Sequence, residues 1–311
     1  MKRVSNNPNT FTLTLLGTAS AMPVRDRNQS AQALSVHGRL FLIDCGEGTQ
    51  YRMVQEHVPM MKLDSIFLSH IHGDHVFGIF GLLSTLGMKG RQIPLNIFAP
   101  PSFGPILKFF LSYYGDGLAF EIRFTPLKMK GPETILETKS LMVEAFPLNH
   151  GIETFGFRFL EKEPPFNVHK EAIEKYGLSL TEIGTLKRGE DVVRADGSVI
   201  PVAEAAYKPF VPRSYAYCSD TAAFPQEAQW LKGTTVIYHE ATYQEELSDQ
   251  ASMRKHSTTL QAAQVALEAG AQKLLIGHYS SRNNDCKAYE AECRTIFPQT
   301  FATSDGDIYE I

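Results

Sequence analysis

The sequence predicts an α/β protein in which two β-sheets pack face to face with helices outside, a four-layer αββα sandwich. Three observations lead there. Strand-like segments come first and pair locally, later strands are separated by helix-like segments, and a histidine-rich knot stands where one apolar strand gives way to a helix.

Residues 11–17 alternate apolar and threonine positions, and residues 33–44 read as a hairpin turning at His37-Gly38, so the chain opens in β-structure. Residues 65–70 form a short apolar strand that runs into His70-Ile71-His72-Gly73-Asp74-His75, after which 76–88 read as a buried, glycine-spotted helix. Strands are expected at 95–99, 120–127, 140–147 and 154–160, with a helix near 102–114 whose Phe109-Phe110 and Tyr113-Tyr114 pairs supply core and surface. After an interruption the pattern resumes, with strands at 214–220, 234–242 and 273–279 and helices at 258–269 and 285–296.

The interruption covers residues 161–213. It opens Glu161-Lys162-Glu163-Pro164-Pro165 and closes Lys208-Pro209-Phe210-Val211-Pro212-Arg213, so prolines and charges punctuate both ends. It is expected to project as an inserted arm from a single domain spanning 1–311. A small hairpin is expected inside it, from Leu186-Lys187-Arg188-Gly189-Glu190 to Asp196-Gly197.

Hydrophobic residues make up 43% and charged residues 21% of the 311, which excludes disordered, collagen-like and coiled-coil classes. The net charge of −4 gives no hint of a nucleic-acid partner. A local cluster of Lys and Arg, or metal ions in a cleft, can nonetheless draw phosphate to an acidic chain. The polar start and the lack of any run of about 18 apolar residues predict neither a signal core nor a membrane span, so a cytoplasmic protein is expected. Cys45, Cys218, Cys286 and Cys293 are scattered without a C-x-x-C pair, which suggests free thiols.

The chemistry concentrates in the knot. Along an extended segment His70 and His72 point the same way, while Asp74 and His75 open the next helix and aim at a neighbouring point, so four ligand-type groups face one cleft. Neutral imidazole and carboxylate are groups that zinc accepts, and two clusters of them can hold two ions. Any one of these histidines alone is better read as a polar loop residue. The four-residue spacing, however, arises by chance on the order of once in a thousand such chains or fewer. His150, His239, His256, His278 and Asp220 also stand at strand ends or helix starts, where α/β proteins build their sites. His37, His57 and His169 read as surface residues.

The H-x-H-x-D-H knot resembles that of the metallo-β-lactamase superfamily, which includes thioester hydrolases, lactonases, arylsulfatases and nucleases. Two segments narrow the likeness: His239-Glu240-Ala241-Thr242 and Lys255-His256-Ser257-Thr258 are similar to the H-E-A-T and H-S-T motifs of the ribonuclease Z family. Residues 16–28, ending Pro23-Val24-Arg25-Asp26-Arg27-Asn28, resemble that family's first motif with its P-x-(K/R)-x-R-N loop, and residues 42–50 resemble its second block. The likeness runs from about Phe11 to the end, and the length fits the short form.

The resemblance implies a metallo-β-lactamase fold and a zinc-dependent endoribonuclease that removes the 3′ trailer from precursor tRNA. It also implies two Zn2+ per subunit: His70, His72 and His150 on one, Asp74, His75 and His278 on the other, and Asp220 bridging. Asp74 would also accept a proton, and Glu240 with His256 would move one near the leaving group. Arg25, Arg27 and Asn28 would meet the tRNA end. The insertion, with Lys187 and Arg188, would be the exosite arm that grips tRNA in a homodimer. One departure stands in that arm, where the family's Gly-Pro is replaced by Leu180-Thr181. The alternative is a small-molecule phosphodiesterase or other hydrolase on the same bimetal fold, since one scaffold hosts many chemistries.

Overall fold

The computed structural model describes residues 10–282 and 285–311, so nearly all of the polar start used above lies outside the described residues. Numbered along the chain, the first strands are β1 (Phe11–Gly17), β2 (Ala31–Val36), β3 (Arg39–Ile43), β4 (Leu63–Phe67), β5 (Leu95–Ala99), β6 (Ile122–Pro126), β7 (Glu133–Glu137), β8 (Leu141–Pro147) and β9 (Phe155–Glu161). Four two-residue strands follow, β10 (Asn167–Val168), β11 (Val192–Val193), β12 (Val199–Ile200) and β13 (Ala206–Tyr207). The last are β14 (Ser214–Cys218), β15 (Val236–Glu240), β16 (Lys273–Gly277), β17 (Thr300–Ala302) and β18 (Ile308–Glu310).

One sheet runs β18-β1-β2-β3-β4-β5-β6, antiparallel from β18 to β3 and parallel from β3 to β6. The other runs β17-β16-β15-β14-β9-β8-β7 and is parallel from β14 to β17. Period-two alternation separates the layers. On β3, Leu40 and Leu42 join an apolar cluster with Leu82, Leu83 and Leu86 of the helix Gly78–Met88, while Phe41 turns the other way. There Phe41 and Phe67 meet Phe159, with ring centroids 5.7 and 5.3 Å apart, and Phe67 meets Phe157 at 5.3 Å. On the second sheet Ala216, Ile237, Leu274 and Ile276 pack against Ala262, Ala263 and Ala266 of the helix Thr259–Ala269. Helix, sheet, sheet and helix thus stack as expected. Truncating Phe67 to Ala would cost on the order of 3–5 kcal/mol, because its ring is fully buried between the sheets.

Local signals explain the ends of elements. The helix Thr259–Ala269 starts in a capping box of Thr258 with Gln261 and stops at Gly270, which takes the left-handed φ of 66°. The helix expected over 76–88 comes as two, Gly73–Val76 and Gly78–Met88. A side chain at Gly78 would meet the Gly46 carbonyl oxygen at 2.0 Å, so only glycine lets the second helix press against the loop after β3. Among the described residues no helix is long and apolar enough to cross a membrane.

Residues 160–213 with 138–142 form a compact unit of their own. Helices Lys170–Tyr176, Leu180–Lys187 and Val202–Ala205 and the pairs β10–β13 and β11–β12 enclose a small core around Ala172, Leu186, Val192, Ile200 and Ala205. The Glu161 backbone N–H donates to the Arg213 carbonyl at 3.0 Å, and the Arg213 guanidinium donates to both Glu161 carboxylate oxygens at 2.7 and 2.9 Å, so the unit's ends meet. The hairpin expected from 186 lies later: Leu186 and Lys187 close a helix, Gly189 turns the chain at φ 82°, and the hairpin is β11–β12 around Gly197. A helix was not expected there, yet Ser179 and Glu182 form a capping box that starts one at Leu180-Thr181.

Candidate metal centre

Parallel strands of one sheet end along a common edge, and the residues just past those ends are free of the ladder. Past β3 stands Asp44, past β4 the segment 69–75, past β14 Asp220, at the end of β15 Glu240, and past β16 His278, which takes a left-handed φ of 60°. His150 follows β8. The fold thereby collects the seven ligand-type residues singled out in the sequence.

They form two groups that share one carboxylate. His70, His72, His150 and Asp220 offer one set of ligand atoms, and Asp74, His75 and His278 the other. Asp220 Oδ2 lies 3.7 Å from His70 Nε2 and 3.9 Å from His150 Nε2. Its other oxygen, Oδ1, lies 3.3 Å from His75 Nε2 and 3.2 Å from His278 Nε2. Asp74 Oδ2 sits 3.3 Å from His75 Nε2 and 3.6 Å from His278 Nε2, and His72 Nδ1 lies 3.0 Å from His70 Nε2.

A set of fixed tautomers stands behind these atoms. His75 Nδ1 meets Asp44 Oδ2 at 2.7 Å, and since a carboxylate only accepts, that nitrogen carries the proton. His150 Nδ1 donates to the Lys255 carbonyl at 2.9 Å. The Ser69 hydroxyl donates to Asp44 at 2.8 Å and so accepts from His70 Nδ1 at 2.9 Å. The Thr242 hydroxyl donates to Glu240 Oε2 at 2.5 Å and accepts from His278 Nδ1 at 2.8 Å. In all four rings Nε2 is left as an inward lone pair. His75 Nε2, His278 Nε2 and Asp220 Oδ1 are buried there without a hydrogen-bond partner. Such orphaned atoms, with an N and O donor set around them, fit a metal site.

The carboxylates favour a positive charge here: against its burial, Asp74, Asp220 and Asp44 pull the His75 pKa well up, a charge that a metal on Nε2 supplies in place of a proton. Burial works to raise the Asp220 carboxyl, but positive charge at His278 and His75 wins and holds it well below the usual range. Asp74 is likewise held low against its burial, by His75 and His278. Burial and its neighbour His75 push His70 down, so it stays neutral and ready to ligate.

A second device adjoins the centre. His256 Nδ1 lies 2.8 Å from Glu240 Oε1, and its Nε2 faces Asp220 Oδ2 at 4.0 Å. Burial lowers the His256 pKa, but the Glu240 carboxylate, by charge and hydrogen bond, outweighs it and pushes the pKa up to about 9. Glu240 is fully buried and also accepts from the Thr221 and Thr242 backbone N–H groups at 2.9 and 3.0 Å. His72, Asp74, His150, Asp220, His256 and His278 all open on one cavity of about 600 Å³, which Arg254 and Arg282 also line.

Other expected positions lie outside this cluster. Asn28 gives its backbone and side-chain N–H groups to Asp305 at 2.6 and 2.8 Å, so it ties the loop to the C-terminal region. Arg27 lies over the Tyr279 ring at 5.6 Å, while Arg25 is exposed. Lys187 and Arg188 are exposed in the second unit, with Arg188 paired to Glu190 at 2.9 Å. His239 is not part of the centre, because it follows the opposite face of β15 from Glu240. His57 is exposed, and His37 and His169 are partly so. The roles of Asp44 and Thr242 were missed. Both lie in segments already singled out, and in the structure Asp44 takes a left-handed φ of 55° just past β3.

The chain is similar to known proteins in three ways. The family model described as the anti-Pycsar protein Apyc1 matches residues 11–150, a segment that reaches from β1 to His150. Ribonuclease Z of Cytophaga hutchinsonii is 41% identical over 302 residues, covering 97% of this chain and 96% of that protein, and ribonuclease Z of Parabacteroides distasonis is 38% identical over 95% of this chain and 97% of its own length. The crystal structure of the human short form of tRNase Z superposes with a TM-score of 0.71 at 23% identity, over 96% of this chain and 99% of that one, which establishes a shared fold.

Proposed function

The chain belongs to the ribonuclease Z family, and from that premise we propose that it is a metal-dependent phosphodiesterase that cuts the 3′ trailer from precursor tRNA, leaving a 3′-hydroxyl on the tRNA and a 5′-phosphate on the trailer. The observation that supports the chemistry best is Asp220, whose two oxygens each face a separate imidazole cluster. We infer two zinc ions per subunit, held by His70, His72 and His150 and by Asp74, His75 and His278, with Asp220 between them. Bound there, such a pair supplies an activated water at neutral pH and neutralises charge on the phosphate oxygens.

The remaining steps fall to side chains. Asp74, ionised beside His75 and His278, is proposed to relay the proton released by the attacking water, its low pKa letting it pass the proton on instead of keeping it. The departing ribose 3′ oxygen needs a proton, and His256 supplies it from Nε2, because Glu240 on Nδ1 keeps the ring protonated across the neutral range. Arg25 and Arg27, on the loop before β2, are proposed to meet the tRNA end. Asn28 serves that loop by fastening it to Asp305.

The insertion 161–213 is proposed as the exosite arm, with Lys187 and Arg188 as phosphate contacts, acting in a cytoplasmic homodimer. Incubating the purified protein with a 3′-extended precursor tRNA tests the activity. Cleavage at the trailer junction with the stated ends is expected, and an intact precursor in the presence of zinc would reject it.

A further inference from the structure

We propose that Glu227, acting through His239, is a positioning residue for Glu240; this rests on reading Glu240 and His256 as the proton-delivering pair. Neighbouring residues of β15 face opposite ways, so Glu240 turns to the cavity and His239 turns toward the helix Glu227–Trp230. His239 is fully buried, and both its ring nitrogens are engaged. Nδ1 lies 2.6 Å from the Glu240 carbonyl oxygen and Nε2 lies 3.1 Å from Glu227 Oε1, the latter also fully buried.

A carbonyl only accepts, so Nδ1 carries a proton, and a neutral imidazole then has none for Nε2. The pair therefore shares one further proton, either as imidazolium and carboxylate or as imidazole and carboxylic acid. A buried pair of this kind is a poor source of stability, because an apolar pair of equal volume would fill the layer at less desolvation cost. What an apolar pair could not provide is a donor aimed at the Glu240 carbonyl.

That donor stands where β14 stops pairing with the strand, while on the other side β16 still pairs Glu240 with Gly277. The register of β14 with β15 ends at Cys218 against His239, one residue short of Glu240. From the front, the Thr221 backbone N–H holds the Glu240 carboxylate; from behind, Glu227 reaches the Glu240 peptide through His239. Residues 221 and 227 flank the loop that follows Asp220, so the clamp fixes Glu240 relative to the metal centre. His256 is held through its backbone N–H to Ala251 and, one residue on, by the Ser257 hydroxyl donating to the Thr221 carbonyl at 2.7 Å.

Cys218, Glu227 and His239 are also a possible ligand set for a cation. Only three ligand-type side chains are brought together there among the described residues, one short of the four usual for structural zinc, and a separation of 3.1 Å is that of a hydrogen bond.

The test compares two substrates in the full-length, metal-loaded protein. Precursor tRNA needs its leaving oxygen protonated, whereas bis-p-nitrophenyl phosphate releases a stable phenolate. Glu227→Met, which fills the same space, is expected to lower kcat on tRNA by about ten- to a hundredfold, at the low end of the range for losing a general acid, with KM within about twofold. The p-nitrophenyl rate and the metal content should hold, and Glu227→Gln, able to donate to His239 Nε2, should restore most of the tRNA rate. If Glu227→Met does not fold, His239→Gln takes its place with the same expectation. Equal losses on both substrates, or a lost metal equivalent, would overturn the proposal. His256→Ala serves as the control: if it too shows equal losses, the reading of the pair falls and the proposal with it; if it discriminates between substrates and Glu227→Met does not, only the proposal falls.

Discussion

Removing the Glu240 charge should move the alkaline edge of tRNA cleavage. His256 is held at a pKa of about 9 chiefly by Glu240 acting against burial, and without that carboxylate it falls back to about its ordinary 6.5. At pH 7.5 the protonated fraction then drops from ~97% to ~9%, so Glu240→Gln should lose about tenfold or more in kcat at that pH, yet well under twofold at pH 6. The sign follows from a raised pKa: the acid form persists up to the folded value and is lost above it. Cations bound near Asp220 would lower the edge in both proteins alike, so the difference between the two edges is the quantity read. The assay is single-turnover cleavage of precursor tRNA from pH 5.5 to 10, with bis-p-nitrophenyl phosphate as reference. An unmoved edge in Glu240→Gln, or the same edge with the p-nitrophenyl substrate, would refute the assignment of His256 as the acid.

Other outcomes follow from the same geometry. His256→Ala should keep both metals and lose about a hundred- to ten-thousandfold on tRNA, with a much smaller deficit on the p-nitrophenyl ester; elemental analysis with both assays decides it. Elemental analysis should also find close to two transition-metal equivalents per wild-type subunit, one in His278→Ala or His72→Ala, and fewer than one in Asp220→Ala. Asp44→Asn, which removes the acceptor behind His75 Nδ1, should weaken metal affinity about ten- to a hundredfold in a chelator competition. Replacing 162–212 with a short glycine link is geometrically simple because Glu161 and Arg213 are hydrogen-bonded to each other. That variant should keep its metals and its p-nitrophenyl activity, and raise KM for tRNA.

The metal centre was legible because its densest part, residues 70–75, is contiguous and its spacing matches strand and helix periodicity. The supporting shell was not. Asp44 reaches His75 across 31 positions, and Glu227 reaches His239 only because a four-residue helix folds back behind β15. Neither relation leaves a trace in local pattern. His239 shows the limit most directly, since standing at a strand end did not tell which face it takes, and its neighbour took the site. The large sheets were readable from apolar runs, whereas β7 is mostly polar and exposed, and β17 and β18 are three residues each, too short to show alternation. In the insertion, the helix Leu180–Lys187 ends at a glycine turn that reads as a hairpin, although Ser179 and Glu182 spell a capping box.

The central claim is that Asp220 stands between two cations, and an anomalous difference map from zinc-loaded crystals, recorded at the metal absorption edge, tests it most directly. The account predicts two peaks roughly 3.5–4 Å apart, one among His70, His72, His150 and Asp220 Oδ2 and one among Asp74, His75, His278 and Asp220 Oδ1. A single peak, or one seated among Cys218, Glu227 and His239 instead, would contradict it.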